Sequence, residues 1–274
     1  MFSSKTIRSR HGLFLLQLAF TLIVCAFMVV PVLMSVTAGL TENYFVGLKS
    51  GLTTRWLLEV WDLYADSIWL SIYLALACLV CTLILGVPAA YGLLKCNRRW
   101  AAFVEEMLLM PVAVPGLATA LALLLAYGGS QGFRTSWLFI LVGHVLFTLP
   151  FMMRPVLSVM QAIDVVRLEE AASSLGAGQL KRFFTVVLPN CTGGILAGAL
   201  MVITLSVGEF NITWMLHTPL TKTLPVGLAD SYASMRLEVG SAYTLIFLMM
   251  IVPLMMIIQW VGHWATRRAE RVGP

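Results

Sequence analysis

Five long segments of the chain contain no Asp, Glu, Lys or Arg, and this spacing of charge limits the possible folds more than any other feature. The segments are residues 11–40, 67–94, 107–133, 183–208 and 239–266. A helix needs about 20 apolar residues to cross the hydrocarbon core of a bilayer, so each segment is long enough to span a membrane. A shorter sixth candidate runs from Thr135 to about Val159, with Arg154 near one end.

The scarcity of charge extends to the whole composition. Apolar residues make up 59% of the 274 residues and charged residues 11%, whereas a soluble domain carries about 25% charged residues. We therefore predict an all-α polytopic membrane protein with six transmembrane helices. The predicted spans lie near residues 13–38, 67–94, 104–127, 136–158, 191–215 and 242–264.

These spans divide the chain into three regions. Residues 1–66 hold an N-terminal tail, the first span and a long outer loop. Residues 67–264 form the core transmembrane domain, and residues 265–274 form a second tail. In the outer loop, Trp56 and Trp61 suit an amphipathic stretch at the membrane interface, because aromatic rings favour the level of the lipid headgroups.

Small residues and breaks mark two of the predicted spans. Gly194 and Gly198 lie in the fifth span, where small residues let helices approach each other closely. Pro115 and Gly116 interrupt the third span. A packed bundle tolerates such breaks because neighbouring helices satisfy the freed backbone groups.

Lys and Arg residues are distributed unequally between the two sides of the predicted bundle. With six spans both termini lie on one side, and that side collects 13 of the 18 Lys and Arg residues. Because cytoplasmic loops carry the excess of these residues, we predict that both termini and the polar segment 161–190 are cytoplasmic. The same bias accounts for the net charge of +5, which therefore does not indicate nucleic-acid binding.

The sequence contains none of the common motifs for nucleotide or metal chemistry. It has no phosphate-binding loop, no Gly-rich dinucleotide turn and no His/Cys cluster at metal-ligand spacing. We therefore predict no catalytic site, no metal and no cofactor. Any energy that the protein uses would come from a partner protein or from an ion gradient.

The polar segment 161–190 is predicted to form two short helices around a glycine turn. Asp164 is the expected N-cap of a helix from Val165 to Leu175. Gly176 and Gly178 supply the turn because glycine accepts a positive φ without steric cost. A second helix runs from Gln179 to Val187, and Pro189 closes it before the next span.

The polar segment 161–190, from here on called the coupling loop, resembles the EAA motif of ABC-importer permeases. The matching positions are Glu170, Ala171, Ala172, Gly176, Val186, Leu188 and Pro189. Valine stands at position 186, where isoleucine is commonest. The motif follows the fourth of six spans, and the resemblance covers about residues 67–264. A generic solvated helical hairpin is the alternative, but it leaves the spacing of Gly176 and Leu188-Pro189 unexplained.

The resemblance implies that the loop forms coupling helices, which seat in a cleft of a separate ATP-binding subunit. Glu170 would pair with a basic group of that subunit, and Gly176 would form the turn. Ala171 and Ala172 would let the docked surfaces approach closely, and Leu188 with Pro189 completes the coupling set.

A second resemblance concerns Leu205–Phe210 and the later Leu224–Val226. Both are similar to segments in permeases for polyamines, ferric iron, molybdate, sulfate and aminoalkylphosphonates. Glu209 lies in the first segment, and a carboxylate at the centre of a span costs about 2.5–3.5 kcal/mol, so it is expected to face the bundle interior. Two interpretations remain open: Glu209 lines the translocation pathway with Asn211 and Thr213, or it pairs with a neighbouring helix near the outer end of the span.

His144, inside the fourth span, is a lone histidine for which packing or hydrogen bonding is expected rather than proton transfer.

These resemblances imply one membrane subunit of a binding-protein-dependent ABC importer in the bacterial inner membrane. Its solute would be small and hydrophilic, with a polyamine or aminoalkylphosphonate preferred and ferric iron or an oxyanion as alternatives. The implied partners are a dimer of cytoplasmic ATP-binding subunits, a periplasmic solute-binding protein, membrane lipid and a second permease, either identical or a homologous sibling.

Two other classes of membrane protein compete with this interpretation. An ion-coupled secondary transporter would have inverted repeats and several charges within the membrane, neither of which the sequence contains. A structural or assembly protein would have no reason to carry the EAA motif.

Overall fold

A computed structural model describes residues 4–272, and the side chains of residues 13–260 and 262. The all-α prediction is confirmed, since the only β contact in this part of the chain is an isolated bridge between Thr41 and Leu52. The first helices are α1 (Ser4–Ala38), a 3₁₀ turn (Gly47–Ser50), α2 (Arg55–Lys95), α3 (Arg98–Ala113), α4 (Gly116–Tyr127), α5 (Gln131–Arg134) and α6 (Trp137–Ala162). They are followed by α7 (Val165–Ser174), α8 (Gln179–Arg182), a π-helical turn (Phe183–Val187), α9 (Leu188–Asn190), α10 (Thr192–Gly208), α11 (Asn211–Leu216), α12 (Leu224–Ala233) and α13 (Leu237–Val272).

Four single helices of the described chain are long and apolar enough to cross a membrane. They are Leu13–Ala38, Arg55–Lys95, Trp137–Ala162 and Leu237–Trp260. Two bent pairs complete the set: α3 with α4, bent by 100°, and residues 179–190 with α10, bent by 72°. The structure therefore agrees with six predicted spans when each bent pair counts as one.

The third span breaks at the predicted Pro115–Gly116 interruption, and the fifth span is more broken than the sequence indicates. Val114 leaves the helical conformation, with φ −84° and ψ 136°, and this ends α3. The ring of Pro115 accounts for this, because a proline disfavours the α conformation of the residue before it. The predicted fifth span, 191–215, stops at Gly208 and resumes as the six-residue α11.

The predicted outer loop at 39–66 contains the start of a helix. Helix α2 begins at Arg55, within that predicted loop, and continues into the second span through a kink at Tyr64, where φ is −134° and ψ is 17°. The stretch that carries Trp56 and Trp61 is therefore helical.

The chain divides into two compact units. Within the described residues, one unit comprises 4–63 and Asp230–Ile246, and the other comprises Tyr64–Ala229 and 247–272. In the first unit, the Trp56 indole donates a hydrogen bond to the Thr41 carbonyl at 2.9 Å. The α1 segment Leu13–Ala38 is not buried within the described protein.

The second unit contains the core that positions the coupling loop. Helix α10 packs closely on α6 because two glycines face it. A Cβ atom on Gly194 would lie 2.7 Å from the Pro155 carbonyl oxygen, and one on Gly198 would lie 2.8 Å from the Met152 sulfur. The close helix approach predicted from the small residues of α10 is therefore confirmed.

Candidate functional site

The coupling loop is a helical hairpin whose turn lies at Gly176. This glycine has a φ of +81°, a left-handed conformation that disfavours side chains with a Cβ atom. The predicted turn conformation is therefore confirmed at Gly176, whereas Gly178, with φ −66°, has no such requirement. Asp164 precedes α7 as expected, but its side chain makes no capping hydrogen bond and pairs instead with Arg167, at 2.7 Å between Oδ2 and Nε.

One face of the loop is open for contact with another protein. Glu170 and Ala171 are exposed and Ala172 is half-buried. Two large apolar side chains flank the turn, with Leu175 90% exposed and Leu180 76% exposed. A carboxylate beside exposed leucines is a surface suited to docking, since it combines apolar area with a charge that fixes orientation.

Leu188 and Pro189 lie apart from this open face. Leu188 is half-buried and packs against the helical core, next to the fully buried Val187. Pro189 is exposed in the short α9, which ends just before the 72° bend at Cys191. The end of the motif therefore shapes the entry into α10, while its beginning faces outward.

The neighbouring Glu169 was missed by the sequence analysis. Its side chain is 5% exposed, its Oε2 lies 2.9 Å from the Lys95 ammonium, and its Oε1 accepts a hydrogen bond from the Tyr91 hydroxyl. Burial alone would raise the pKa of this carboxyl, but the hydrogen bonds from Tyr91 and Lys95 outweigh burial and hold the pKa below its usual value. One signal was present in the sequence: Glu169 follows Val165 by four residues and so shares its helix face.

Glu209 occupies the break between α10 and α11. Its Oε1 accepts a hydrogen bond from the Ile212 amide at 2.9 Å. Its Oε2 accepts from the Thr213 amide at 2.9 Å and from the Thr213 hydroxyl at 3.0 Å. The carboxylate therefore satisfies the backbone amides at the start of α11, which would otherwise be unpaired in a buried environment.

His144 joins this turn to the neighbouring helices through hydrogen bonds, as expected for a packing histidine. Its Nε2 lies 2.8 Å from the Thr213 hydroxyl and its Nδ1 lies 2.9 Å from the Ser206 hydroxyl. The ring is buried, and Nε2 is 3.8 Å from the Glu209 carboxylate. Helices α6, α10 and α11 are thus linked by one buried polar network.

The two helix breaks of the bundle meet at Glu209. A Cβ atom on Gly116, at the start of α4, would lie 3.0 Å from the Asn211 Cβ and 3.7 Å from the Glu209 Oε1. Among the three predicted pathway residues, Asn211 is exposed, whereas Glu209 and Thr213 are buried. Broken helices that meet inside a bundle are typical of transport pathways, because irregular backbone at membrane depth must be covered by protein or line a cavity.

No group of three His, Cys, Asp or Glu side chains that could hold a metal ion occurs among the residues described.

Comparison with known proteins places most of the chain in one family. Residues 82–271 match the family described as binding-protein-dependent transport system inner membrane component. The putrescine transport system permease protein PotI of Escherichia coli K12 is 28% identical, over 97% of this chain and 94% of PotI. The molybdenum transport system permease protein ModB of the same strain is 27% identical, over 75% of this chain and 96% of ModB.

A further relative and a solved structure extend the comparison. The putative 2-aminoethylphosphonate transport system permease protein PhnV of Salmonella choleraesuis is 27% identical, over 83% of this chain and 82% of PhnV. A crystal structure of a bacterial ABC transporter involved in the import of alginate has a chain that superposes with a TM-score of 0.73. The superposition covers 97% of this chain and 98% of the transporter chain. The sequence identity is 11%, so the likeness concerns the fold.

Proposed function

The chain belongs to the binding-protein-dependent transport system inner membrane components, the permease subunits of ABC importers, and we propose that its solute is a small polyamine or an aminoalkylphosphonate. The observation that carries this choice is the match to the putrescine permease, which extends over 97% of this chain and 94% of that relative. The molybdenum permease matches a smaller share of this chain, 75%. An oxyanion is therefore less favoured, and no similarity described above favours ferric iron.

The proposed mechanism is alternating access driven by ATP hydrolysis on a separate subunit. When the ATP-binding subunits close, the seated coupling loops transmit that movement, and the permease pair opens outward to receive solute from the periplasmic binding protein. A ligand shifts such an equilibrium only as far as it binds the two states unequally. The chain itself performs no covalent step.

The open face of the coupling loop is the proposed docking surface for the ATP-binding subunit. Glu170 would pair with a basic group there, and Ala171 and Ala172 would lie against the partner. Gly176 would hold the turn. Leu188 and Pro189 would act indirectly, because they direct the chain into α10. Exposure of Glu170 and Ala171 supports this assignment.

The pathway is proposed to pass the meeting point of the two helix breaks. Exposed Asn211 would contact the solute or the water around it. Buried Glu209 and Thr213 would hold the turn that presents Asn211. This arrangement is supported by the hydrogen bonds from α11 to the Glu209 carboxylate.

The remaining assignments concern orientation and assembly. Both termini are proposed to be cytoplasmic, on the side that carries most of the Lys and Arg residues. Residues 67–264 are proposed as the core that pairs with a second permease, identical or homologous, and residues 1–66 and 265–274 as additions to it.

Reconstituted transport distinguishes the candidate solutes and the competing class of transporter. The permease would be assembled in liposomes with its ATP-binding subunit and binding protein, and uptake of labelled putrescine, 2-aminoethylphosphonate and molybdate compared. We expect ATP-dependent uptake of putrescine or the phosphonate. Uptake of molybdate alone would contradict the proposed solute. Uptake that needs an ion gradient and no ATP would contradict the importer mechanism.

A further inference from the structure

The C-terminal end of α2 is tied to the coupling loop by a compact polar cluster, here called the Glu169 junction: Tyr91, Lys95, Glu169, Arg182 and Phe183. The Glu169 carboxylate pairs with Lys95 at 2.9 Å and accepts a hydrogen bond from the Tyr91 hydroxyl, which also accepts one from Lys95. The Lys95 ammonium lies 4.0 Å from the centre of the Tyr91 ring.

The second arm of the loop joins the same junction. The Arg182 guanidinium lies 3.5 Å from the Glu169 carbonyl oxygen, at hydrogen-bond distance, and its positive charge adds to that of Lys95 near the carboxylate. The Phe183 ring lies 5.1 Å from the Tyr91 ring, between their centres. Both arms of the loop are thus held to one face of α2, on which Tyr91 and Lys95 are one helical turn apart.

The attachment of α7 to the bundle is narrow. Of its ten residues, only Val165 and Glu169 are buried. Val165 supplies apolar packing, which is not directional, whereas Glu169 supplies an ion pair and a hydrogen bond with fixed geometry. Adjacent glutamates of the motif therefore face opposite ways: Glu170 faces outward, and Glu169 faces α2.

We propose that the Glu169 junction is the internal link through which movement of α7 reaches α2, so that Glu169 and Lys95 are positioning residues for coupling. This inference rests on the proposed docking of α7 on an ATP-binding subunit. A helix that is held mainly by non-directional packing can slide along the helix on which it packs. Separation of a buried carboxylate from its cation is resisted, because it leaves a buried negative charge without a partner. The ion pair therefore keeps α7 and α2 together when the loop is displaced.

The first test measures coupling apart from assembly. The Glu169→Gln variant would be purified with the ATP-binding subunit, and its ATPase activity measured with and without loaded binding protein. We expect the ATP-binding subunit to co-purify, because the open face is unchanged, while stimulation by the binding protein and uptake both fall at least tenfold. The reversed pair Glu169→Lys/Lys95→Glu should recover at least a third of the lost uptake.

The matched control is Glu170→Gln, because Glu170 is adjacent to Glu169 in sequence but its side chain faces outward instead of toward α2. It should reduce co-purification of the ATP-binding subunit, and failure to do so would count against docking rather than against the junction. The junction itself is refuted if Glu169→Gln keeps uptake and stimulation within twofold of wild type. It is also refuted if the reversed pair is no better than the single variants.

A covalent replacement gives an independent test. With the native cysteines removed, Lys95→Cys/Glu169→Cys should be uncoupled like Glu169→Gln. A bifunctional thiol reagent that joins the two positions should restore stimulation by the binding protein, because the link again ties α7 to α2. Cross-linked protein that remains as uncoupled as the untreated variant would overturn the proposal.

Discussion

Replacement of Glu209 by glutamine tests the proposed role of its carboxylate most closely. The carboxylate accepts three hydrogen bonds, from the Ile212 amide and from the amide and hydroxyl of Thr213. Glutamine has nearly the same shape but only one acceptor oxygen, and its NH₂ group would face a backbone donor. The Glu209→Gln variant therefore leaves at least one buried donor unpaired.

The magnitude follows from these contacts. An unpaired buried donor costs about 1–3 kcal/mol, and loss of a charged acceptor falls at the upper end of that range. We expect Glu209→Gln to lower the free energy of unfolding by about 2–3 kcal/mol. For a chain of this size, Tm falls by about 2–4 °C for each kcal/mol, so we expect Glu209→Gln to lower Tm by about 4–12 °C.

Thermal unfolding of purified permease in detergent, followed by tryptophan fluorescence, is a suitable assay. Asn211→Ala is the matched control, because Asn211 lies two residues away with an exposed side chain, and its Tm should stay within about 1–2 °C of wild type, as for most surface substitutions. If Glu209→Gln unfolds at the wild-type temperature, the carboxylate does not stabilise the start of α11, and the reasoning fails.

Three further predictions follow from the loop and the core. The Gly176→Val variant places a β-branched residue at φ +81°, which costs about 1–2 kcal/mol, and it should abolish stimulation of ATPase activity by loaded binding protein. The control variant Gly178→Ala, at φ −66°, should leave that stimulation unchanged. Gly194→Leu would collide with the Pro155 carbonyl oxygen, so folded protein in the membrane fraction should fall severely, whereas Gly193→Ala, with open space around its Cβ, should accumulate normally. The folded-state pKa of Glu169 is lowered, so the stability that its ion pair contributes is complete above the usual carboxyl pKa of about 4.3 and is lost only as pH falls below that value. Protonation of Glu169 should therefore not alter ATPase stimulation between about pH 8 and pH 6. A decrease in stimulation over this pH range that is absent in Glu169→Gln would contradict the ion pair.

The sequence predicted those features that depend on local pattern. The charge-free segments predicted the membrane spans, because a span requires about 20 apolar residues that all lie within one continuous segment. Gly176 could be predicted as a turn because the positive φ of a tight turn depends on the type of residue there and not on distant contacts. The glycines of α10 were identified for a similar reason, since small residues at helical spacing indicate a close neighbour even when that neighbour is unknown.

Features that depend on distant partners could not be predicted in this way. The burial of Glu169 is set by Lys95, 74 positions earlier, and the EAA resemblance directed attention to the adjacent Glu170 instead. The role of Glu209 depends on a helix break that hydropathy does not reveal, because Phe210 and Ile212 continue the apolar pattern through it. The breaks at Pro115 and Glu209 are separate in sequence, and only the folded bundle brings them together.

We propose that an ATP-binding subunit, seated on the coupling loop through Glu170, drives this permease. The most direct measurement is ATP-driven uptake of putrescine by the reconstituted complex, comparing wild type with Glu170→Lys. Charge reversal on the exposed face should abolish uptake and release the ATP-binding subunit, while Glu170→Lys permease still inserts and unfolds at the wild-type temperature. Normal uptake by Glu170→Lys, with a normal amount of ATP-binding subunit bound, would contradict the account.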